Sequence, residues 1–158
     1  MGALFPGLKA LVNYHPLFVH FPIALWSAAL VFELAARTAK QDGLHRAACA
    51  VLALGALAAV PTVFTGWSAQ AAVPESRDAR DVMEIHENLM IMASILSGVL
   101  AAVGLFVLPR KPTAMLRAAF LAGLFVLVVL LALGADRGAL LVYHYGTGVD
   151  WSTAQRQK

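Results

Sequence analysis

The stretch "FLAGLFVLVVLLALG", residues 120–134, contains no charged side chain and no strongly polar one. A helix of about 20 predominantly apolar residues crosses the hydrocarbon core of a bilayer, which is about 30 Å thick. Residues 116–134 form a segment of this length and composition. They therefore predict a membrane-spanning helix near the C-terminal end of the sequence.

Three further segments of the same kind precede this one, at residues 17–36, 47–67 and 82–108. The whole sequence is 60% hydrophobic and 13% charged, whereas a soluble domain is about 45–50% apolar and about 25% charged. The sequence therefore predicts an all-α integral membrane protein with one four-helix transmembrane domain over residues 1–158. Because most connections are short, we expect the helices to form an up-down-up-down bundle.

The distribution of lysine and arginine predicts the orientation of the bundle. Six basic residues lie in the first and third connections, and they are Arg37, Lys40, Arg46, Arg110, Lys111 and Arg117. Four lie close to the spans on the opposite side, and they are Lys9, Arg77, Arg80 and Arg137. Basic residues near span ends favour the cytoplasmic side. We therefore expect both termini on the outer face, which is the periplasm if the protein lies in a bacterial inner membrane.

Four of the five histidines fall on one side of the predicted membrane. His15 and His20 lie at the outer start of the first span, His86 at the outer start of the third, and His144 beyond the fourth. His20 and His86 are expected at similar depth on diagonal helices, about 11–14 Å apart. Two imidazoles in this arrangement are suited to holding a b-type haem in the bundle core. The sequence therefore predicts that His20 and His86 bind haem iron.

His15 and His144 are the other two candidate ligands. Four histidines would be enough for two haems, with His15 and His144 holding an outer one. The same residues also suit a copper or zinc site, because imidazole binds both metals. A third interpretation is a cofactor-free structural subunit of a larger membrane complex.

The leading hypothesis is an electron-transfer subunit that exchanges electrons with quinone and with a periplasmic redox protein or a respiratory complex. The sequence has no Gly-rich phosphate loop and no H-E-x-x-H motif, which favours an electron carrier over a stand-alone enzyme. The basic residues form no single patch, so no nucleic-acid partner is expected, and the lipid bilayer is the predicted environment.

Other polar and aromatic residues also lead to predictions. His45 is expected as a solvated loop residue, and Glu33 and Arg37 as an ion pair one helical turn apart. Glu87 is expected to orient a histidine of another helix. Indole rings are enriched at membrane faces, so we expect anchoring roles for Trp26, Trp67 and Trp151.

Three motifs resemble a family of bacterial membrane proteins catalogued as domain of unknown function 2231. They are "HPLFVHFPIAL" at residues 15–25, "HENL" at residues 86–89 and "GALLVYHYGTGV" at residues 138–149. The resemblance implies a four-span protein, and some relatives are joined to or lie beside Rieske or c-type cytochrome modules. This context favours electron transfer but assigns no catalytic residue. His15, His20, His86 and His144 all lie on the matching motifs.

Overall fold

The computed structural model contains four long helices and describes residues 11–110 and 113–149, together with residues 4 and 8. Each of the four is long and apolar enough to cross a membrane, and the described residues contain no strand. The prediction of an all-α membrane protein with four spanning helices is therefore confirmed. The helices are α1 (His20–Ala39), α2 (Asp42–Ala69), α3 (Arg77–Ala102) and α4 (Ala114–Tyr143).

Shorter helical segments extend three of these helices. A helical turn over His15–Phe18 precedes α1, a 3₁₀ turn over Gln70–Ala72 follows α2, and a π-helical segment over Val103–Val107 follows α3. Pro16 lies in the first turn of the N-terminal segment, where its missing N–H costs no hydrogen bond. The chain is therefore helical already at His15, two residues before the predicted start of the first span.

Local sequence explains where α3, α4 and the first connection begin. The hydroxyl of Ser76 accepts a hydrogen bond from the Ala79 N–H, and that of Thr113 accepts one from the Leu116 N–H. Side-chain caps of this kind satisfy N–H groups that have no partner within a helix. Lys40 ends α1 in the left-handed conformation, with φ of 53°. This sharp reversal lets α2 begin after a connection of only two residues.

The four helices pack in sequential order around the bundle. α1 packs most extensively on α2, and α3 on α4, while contacts between α2 and α3 and between α1 and α4 close the ring. The interior consists mainly of small and aliphatic side chains, including the fully buried Ala29, Leu52, Ala93, Leu124 and Leu127. Between 22% and 28% of the residues in the most apolar part of each span are buried within the chain. The remaining apolar surface is available to lipid.

Trp26 was expected as an anchor at a membrane face, but it lies in the core and is only 2% exposed. The reason is Gly55 on α2, since a Cβ atom there would lie 2.6 Å from Cδ1 of Trp26. The missing side chain at Gly55 leaves room for the indole between α1 and α2. Trp67 is exposed at the end of α2, as expected for an anchor, and Trp151 lies outside the described residues.

The bundle has two distinct ends. We call the end that contains His15, His86 and residues 66–87 and 138–149 the histidine end. The other, which contains residues 37–46, 108–110 and 113–117, is the connector end. The basic residues of the first and third connections that the structure describes lie at the connector end. Lys111, Lys9 and residues 150–158 are outside the described residues.

Candidate histidine site

His15 is held against the end of α2. Its Nδ1 lies 3.0 Å from the carbonyl oxygen of Thr62 and 3.3 Å from the hydroxyl of Thr65. The edge of the ring lies over Gly66, where an added Cβ would be 3.2 Å from Cε1. The oxygen of the Asn13 side chain accepts a hydrogen bond from the His15 backbone N–H at 3.1 Å, which fixes the start of this helical turn. Backbone and side chain of His15 are therefore both positioned by neighbouring groups.

His86 is held against the end of α4 by the same kind of contacts. Its Nδ1 lies 2.8 Å from the carbonyl oxygen of Gly134. The ring edge lies over Gly138, where an added Cβ would be 3.1 Å from Cε1. One turn further along α3, the methyl group of Met90 occupies the space beside Gly134. The small residues of α4 thus accommodate two successive side chains of α3.

The two histidine environments are therefore alike in construction. The helices form two pairs, α1 with α2 and α3 with α4. His15, just before α1, contacts the C-terminal part of α2, and His86, in the first half of α3, contacts the C-terminal part of α4. In each case Nδ1 meets a backbone carbonyl, and the ring covers the glycine four residues further on, which is Gly66 for His15 and Gly138 for His86. The structure thus orients one histidine of each pair of helices in the same way.

The hydrogen bonds define which ring nitrogen remains available. A carbonyl oxygen only accepts hydrogen bonds, so the Nδ1 of each ring must carry the proton and donate it. In the neutral tautomer, Nε2 then presents a lone pair. Neither Nε2 forms a hydrogen bond to a described residue, since both rings bond through Nδ1. Metal-binding histidines are commonly oriented in this way, by a carbonyl or carboxylate bound to the other nitrogen.

The other two predicted ligands lie outside this pair. His20 is exposed at the start of α1, whereas His15 and His86 are half-buried and each form a hydrogen bond through Nδ1. His144 follows the last residue of α4 and is also exposed, with its ring packed edge-on against Tyr145 at 4.7 Å. Assignment of any of the four histidines as a ligand remains a prediction.

The segment after His144 turns back towards the N-terminal residues that precede α1. Gly146 and Gly148 have positive φ angles, and Gly148 lies close to the side chain of Asn13. Asn13 in turn contacts the backbone of His15. The C-terminal turn therefore lies beside Asn13, the residue that positions the His15 backbone.

Glu87 has a different role from the one expected. Its carboxylate accepts hydrogen bonds from Nε1 of Trp67 at 2.8 Å and from Nε2 of Gln70 at 2.9 Å, not from a histidine. Glu87 thus joins α3 to the end of α2, and the imidazoles of His15 and His86 donate their hydrogen bonds to backbone carbonyls. The sequence does not indicate which backbone carbonyls bind the histidines, because every residue has a carbonyl.

His45 was expected in a solvated loop, and this was wrong. Because α2 already begins at Asp42, His45 lies in its first turn, and its Nδ1 is 2.6 Å from the carboxylate of Glu33. Glu33 also forms the expected pair with Arg37, at 3.1 Å. No group of three or more His, Cys, Asp or Glu side chains arranged to hold a metal ion occurs in the part of the chain that the structure describes.

The fold and the site define a four-helix membrane protein with a pair of backbone-oriented histidines at one end of the bundle. The sequence profile of the family described as "Predicted membrane protein (DUF2231)" matches residues 12–151. The chain therefore belongs to the DUF2231 family, as its motifs indicated. No curated protein and no solved structure gave a significant match.

Proposed function

We propose that the protein is a membrane electron-transfer subunit in which His15 and His86 bind the iron of a b-type haem. The observation that carries the proposal is the matched pair of environments at the histidine end. Each imidazole donates through Nδ1 to a helix carbonyl, at 3.0 Å for His15 and 2.8 Å for His86, and each keeps Nε2 without a partner among the described residues. His15 and His86 would hold the iron through these two nitrogens, one from each pair of helices.

The number of available ligands favours haem over copper or zinc. A structural zinc site needs four protein ligands and a catalytic one needs three. Among the described residues, no three His, Cys, Asp or Glu side chains are grouped so as to hold a metal ion. Two protein ligands are sufficient for haem, because the porphyrin supplies the other four nitrogen atoms. When bound, haem supplies a one-electron couple between ferrous and ferric iron.

The residues of the chain have three roles in this proposal. The carbonyls of Thr62 and Gly134 hold each imidazole in one tautomer and one orientation, which reduces the entropy lost when a ligand binds. Gly66 and Gly138 let the rings approach the helix backbone. The surrounding helices provide an apolar environment, in which ligand type and burial govern the reduction potential.

The partners follow from the position of the site. A redox group at one end of a membrane bundle is accessible to an aqueous redox protein, and quinone in the bilayer is the natural membrane-side partner. The basic residues at the connector end favour the cytoplasm for that end. We accordingly propose that the histidine end faces the periplasm of a bacterial inner membrane.

The test is haem content in mild detergent, after expression with an adequate haem supply. Reduced-minus-oxidised spectra and the haem-to-protein ratio are measured for the wild type and four variants. We expect His15→Ala and His86→Ala to lose the haem signal. His20→Ala and His144→Ala, the matched controls with exposed rings, should retain it.

Imidazole rescue separates ligand loss from misfolding. Free imidazole added to His15→Gly or His86→Gly should restore the spectrum, which a misfolded chain would not allow. A colourless wild type that carries stoichiometric copper or zinc would contradict the haem proposal and favour a metal site. A colourless, metal-free protein would favour a structural subunit. Loss of haem in His20→Ala but not in His15→Ala would overturn the proposed ligand pair.

A further inference from the structure

A polar cavity lies at the connector end, on the opposite side of the bundle from the histidine pair. Its volume is about 310 Å³, and it lies between the end of α1 and the starts of α2 and α4. Its lining includes three permanent cations, Arg37, Lys40 and Arg117, together with Glu33, Asp42 and His45. We propose that this cavity binds a phosphate group, a function independent of the proposed haem site.

The deepest charge in the cavity is already neutralised. Glu33 is only 3% exposed, and its two carboxylate oxygens are taken separately, one by Nε of Arg37 at 3.1 Å and the other by Nδ1 of His45 at 2.6 Å. Arg37 also donates through Nη2 to the backbone carbonyl of Arg117. This network links α1, α2 and α4, and it leaves the carboxylate little capacity to repel an incoming anion.

The remaining charges at the cavity favour an anion. Lys40 and Arg117 form no salt bridge with another described residue, so their charges remain available. Asp42 is the one opposing charge at the rim. It lies in the first turn of α2, where the positive end of the helix dipole offsets it. The Gln41 side chain does not cap this helix, and the backbone N–H groups of Asp42 and Gly43 form no hydrogen bond to a described residue, so these two are also available to an anion.

The position of the cavity favours a lipid as the source of the phosphate. The connector end lies where four hydrophobic helices meet the aqueous phase, which is the depth of phospholipid headgroups. Basic pockets between transmembrane helices on the cytoplasmic side are typical binding sites for anionic headgroups. The phosphodiester of an anionic phospholipid and free inorganic phosphate present the same chemistry to Lys40 and Arg117.

The test is a binding titration with delipidated full-length protein in a neutral detergent. One arm adds short-chain phosphatidylglycerol and the other adds inorganic phosphate, with short-chain phosphatidylcholine as the zwitterionic reference. Native mass spectrometry counts bound molecules, and the shift in melting temperature gives the affinity. The variants are Arg117→Gln and Lys40→Gln. Arg46→Gln is the matched control, because Arg46 is exposed near the start of α2 and does not line the cavity.

We expect saturable binding of one phosphatidylglycerol, and about tenfold or greater loss of affinity in each cavity variant, because a charge-assisted hydrogen bond is removed. Arg46→Gln should bind like the wild type. If inorganic phosphate competes equally well with phosphatidylglycerol for the cavity, the result would support the site and assign it to a soluble anion. No saturable binding of either probe, or an equal loss in Arg46→Gln, would overturn the proposal. Because Lys40 lies in an exposed turn, the Lys40→Gln variant keeps the test valid if Arg117→Gln does not fold.

Discussion

At the histidine end, backbone carbonyls hold the imidazoles of His15 and His86, whereas at the connector end a carboxylate holds His45. The Nδ1 of His45 is bound to Glu33 at 2.6 Å, and its Nε2 lies 3.7 Å from Sγ of Cys49. Its ring also packs edge-on against Phe120 at 5.9 Å. Both nitrogens of His45 therefore face groups of the chain itself, but His15 and His86 each use only one.

The difference shows how a structural histidine can be distinguished from a candidate ligand. A buried imidazole whose two nitrogens are both engaged contributes to the fold and has no lone pair to offer. An imidazole oriented through one nitrogen, with the other open, is prepared for a metal or a haem iron. Burial alone does not separate the two cases, since the three rings are all partly buried.

The largest expected effect comes from removing the carboxylate at the connector end. Glu33→Ala leaves Arg37 and His45 without their shared partner, and breaking a buried ion pair in this way costs about 3–5 kcal/mol. We expect the low end of that range, because the Arg37 side chain is 35% exposed. The measurement is the free energy of unfolding from a denaturant titration in mixed micelles.

Glu84→Ala is the control for this change, because Glu84 is an exposed carboxylate on α3. It should change the free energy of unfolding by no more than about 0.5 kcal/mol. Haem bound per folded molecule should be the same in both variants. A loss of haem in folded Glu33→Ala would show that the two ends do not act independently.

A smaller effect, at the histidine end, is expected from Gly66→Ala and Gly138→Ala. The new methyl groups would lie 3.2 Å and 3.1 Å from Cε1 of the two rings, so each ring must shift. Changes to groups that orient a metal ligand typically reduce affinity by about 10–100-fold. Haem affinity is measured by titrating the haem-free protein with haemin.

Gly98→Ala is the matched control, because nothing lies within 4 Å of a Cβ atom at that position. It should leave haem affinity unchanged and should stabilise α3 slightly, since alanine is favoured over glycine in a helix by up to about 1 kcal/mol. Wild-type affinity in both Gly66→Ala and Gly138→Ala would mean that ring placement over these glycines does not matter for binding.

The sequence was sufficient to predict the four helices, and the structure places His15 and His86 at the same end of the bundle. Hydropathy carries this information because it reports which segments lie in the membrane and on which side they end. It does not report the rotation of each helix. The rotation of a helix determines which of its side chains points at a neighbouring helix. Here the ring of His15, rather than that of His20, contacts α2, and Gly66 lets this ring approach closely.

A signal for the ring contacts was present in the sequence but ambiguous. Thr62 and Gly66 are four residues apart, as are Gly134 and Gly138, and such small residues are equally typical of close helix crossings. The role of His45 was missed because α2 begins at Asp42, five residues before the predicted span. Helices extend beyond the apolar segment when polar side chains such as Glu33 can pair with them.

The smallest expected effect comes from changing Cys49. This residue is 3% exposed, and its Sγ lies 3.7 Å from Nε2 of His45, which is a weak contact. Cys49→Ala removes one buried sulfur atom and one weak contact, so we expect a loss of about 1 kcal/mol in the free energy of unfolding. The same unfolding titration measures it. Haem content should not change, and a loss comparable to that of Glu33→Ala would show that the thiol is an essential part of the Glu33–His45 network.

The proposal that His15 and His86 bind haem iron is tested by counting the histidine nitrogens bound to iron. The oxidised protein, labelled with ¹⁵N-histidine, is studied by electron–nuclear double resonance, which detects nitrogen nuclei bonded to a paramagnetic iron. We expect couplings from two imidazoles in the wild type, in His20→Ala and in His144→Ala. Without added imidazole, neither His15→Ala nor His86→Ala should retain that pair. A wild type with fewer than two coupled imidazoles, or a two-imidazole signal that persists in His15→Ala, would contradict the proposal.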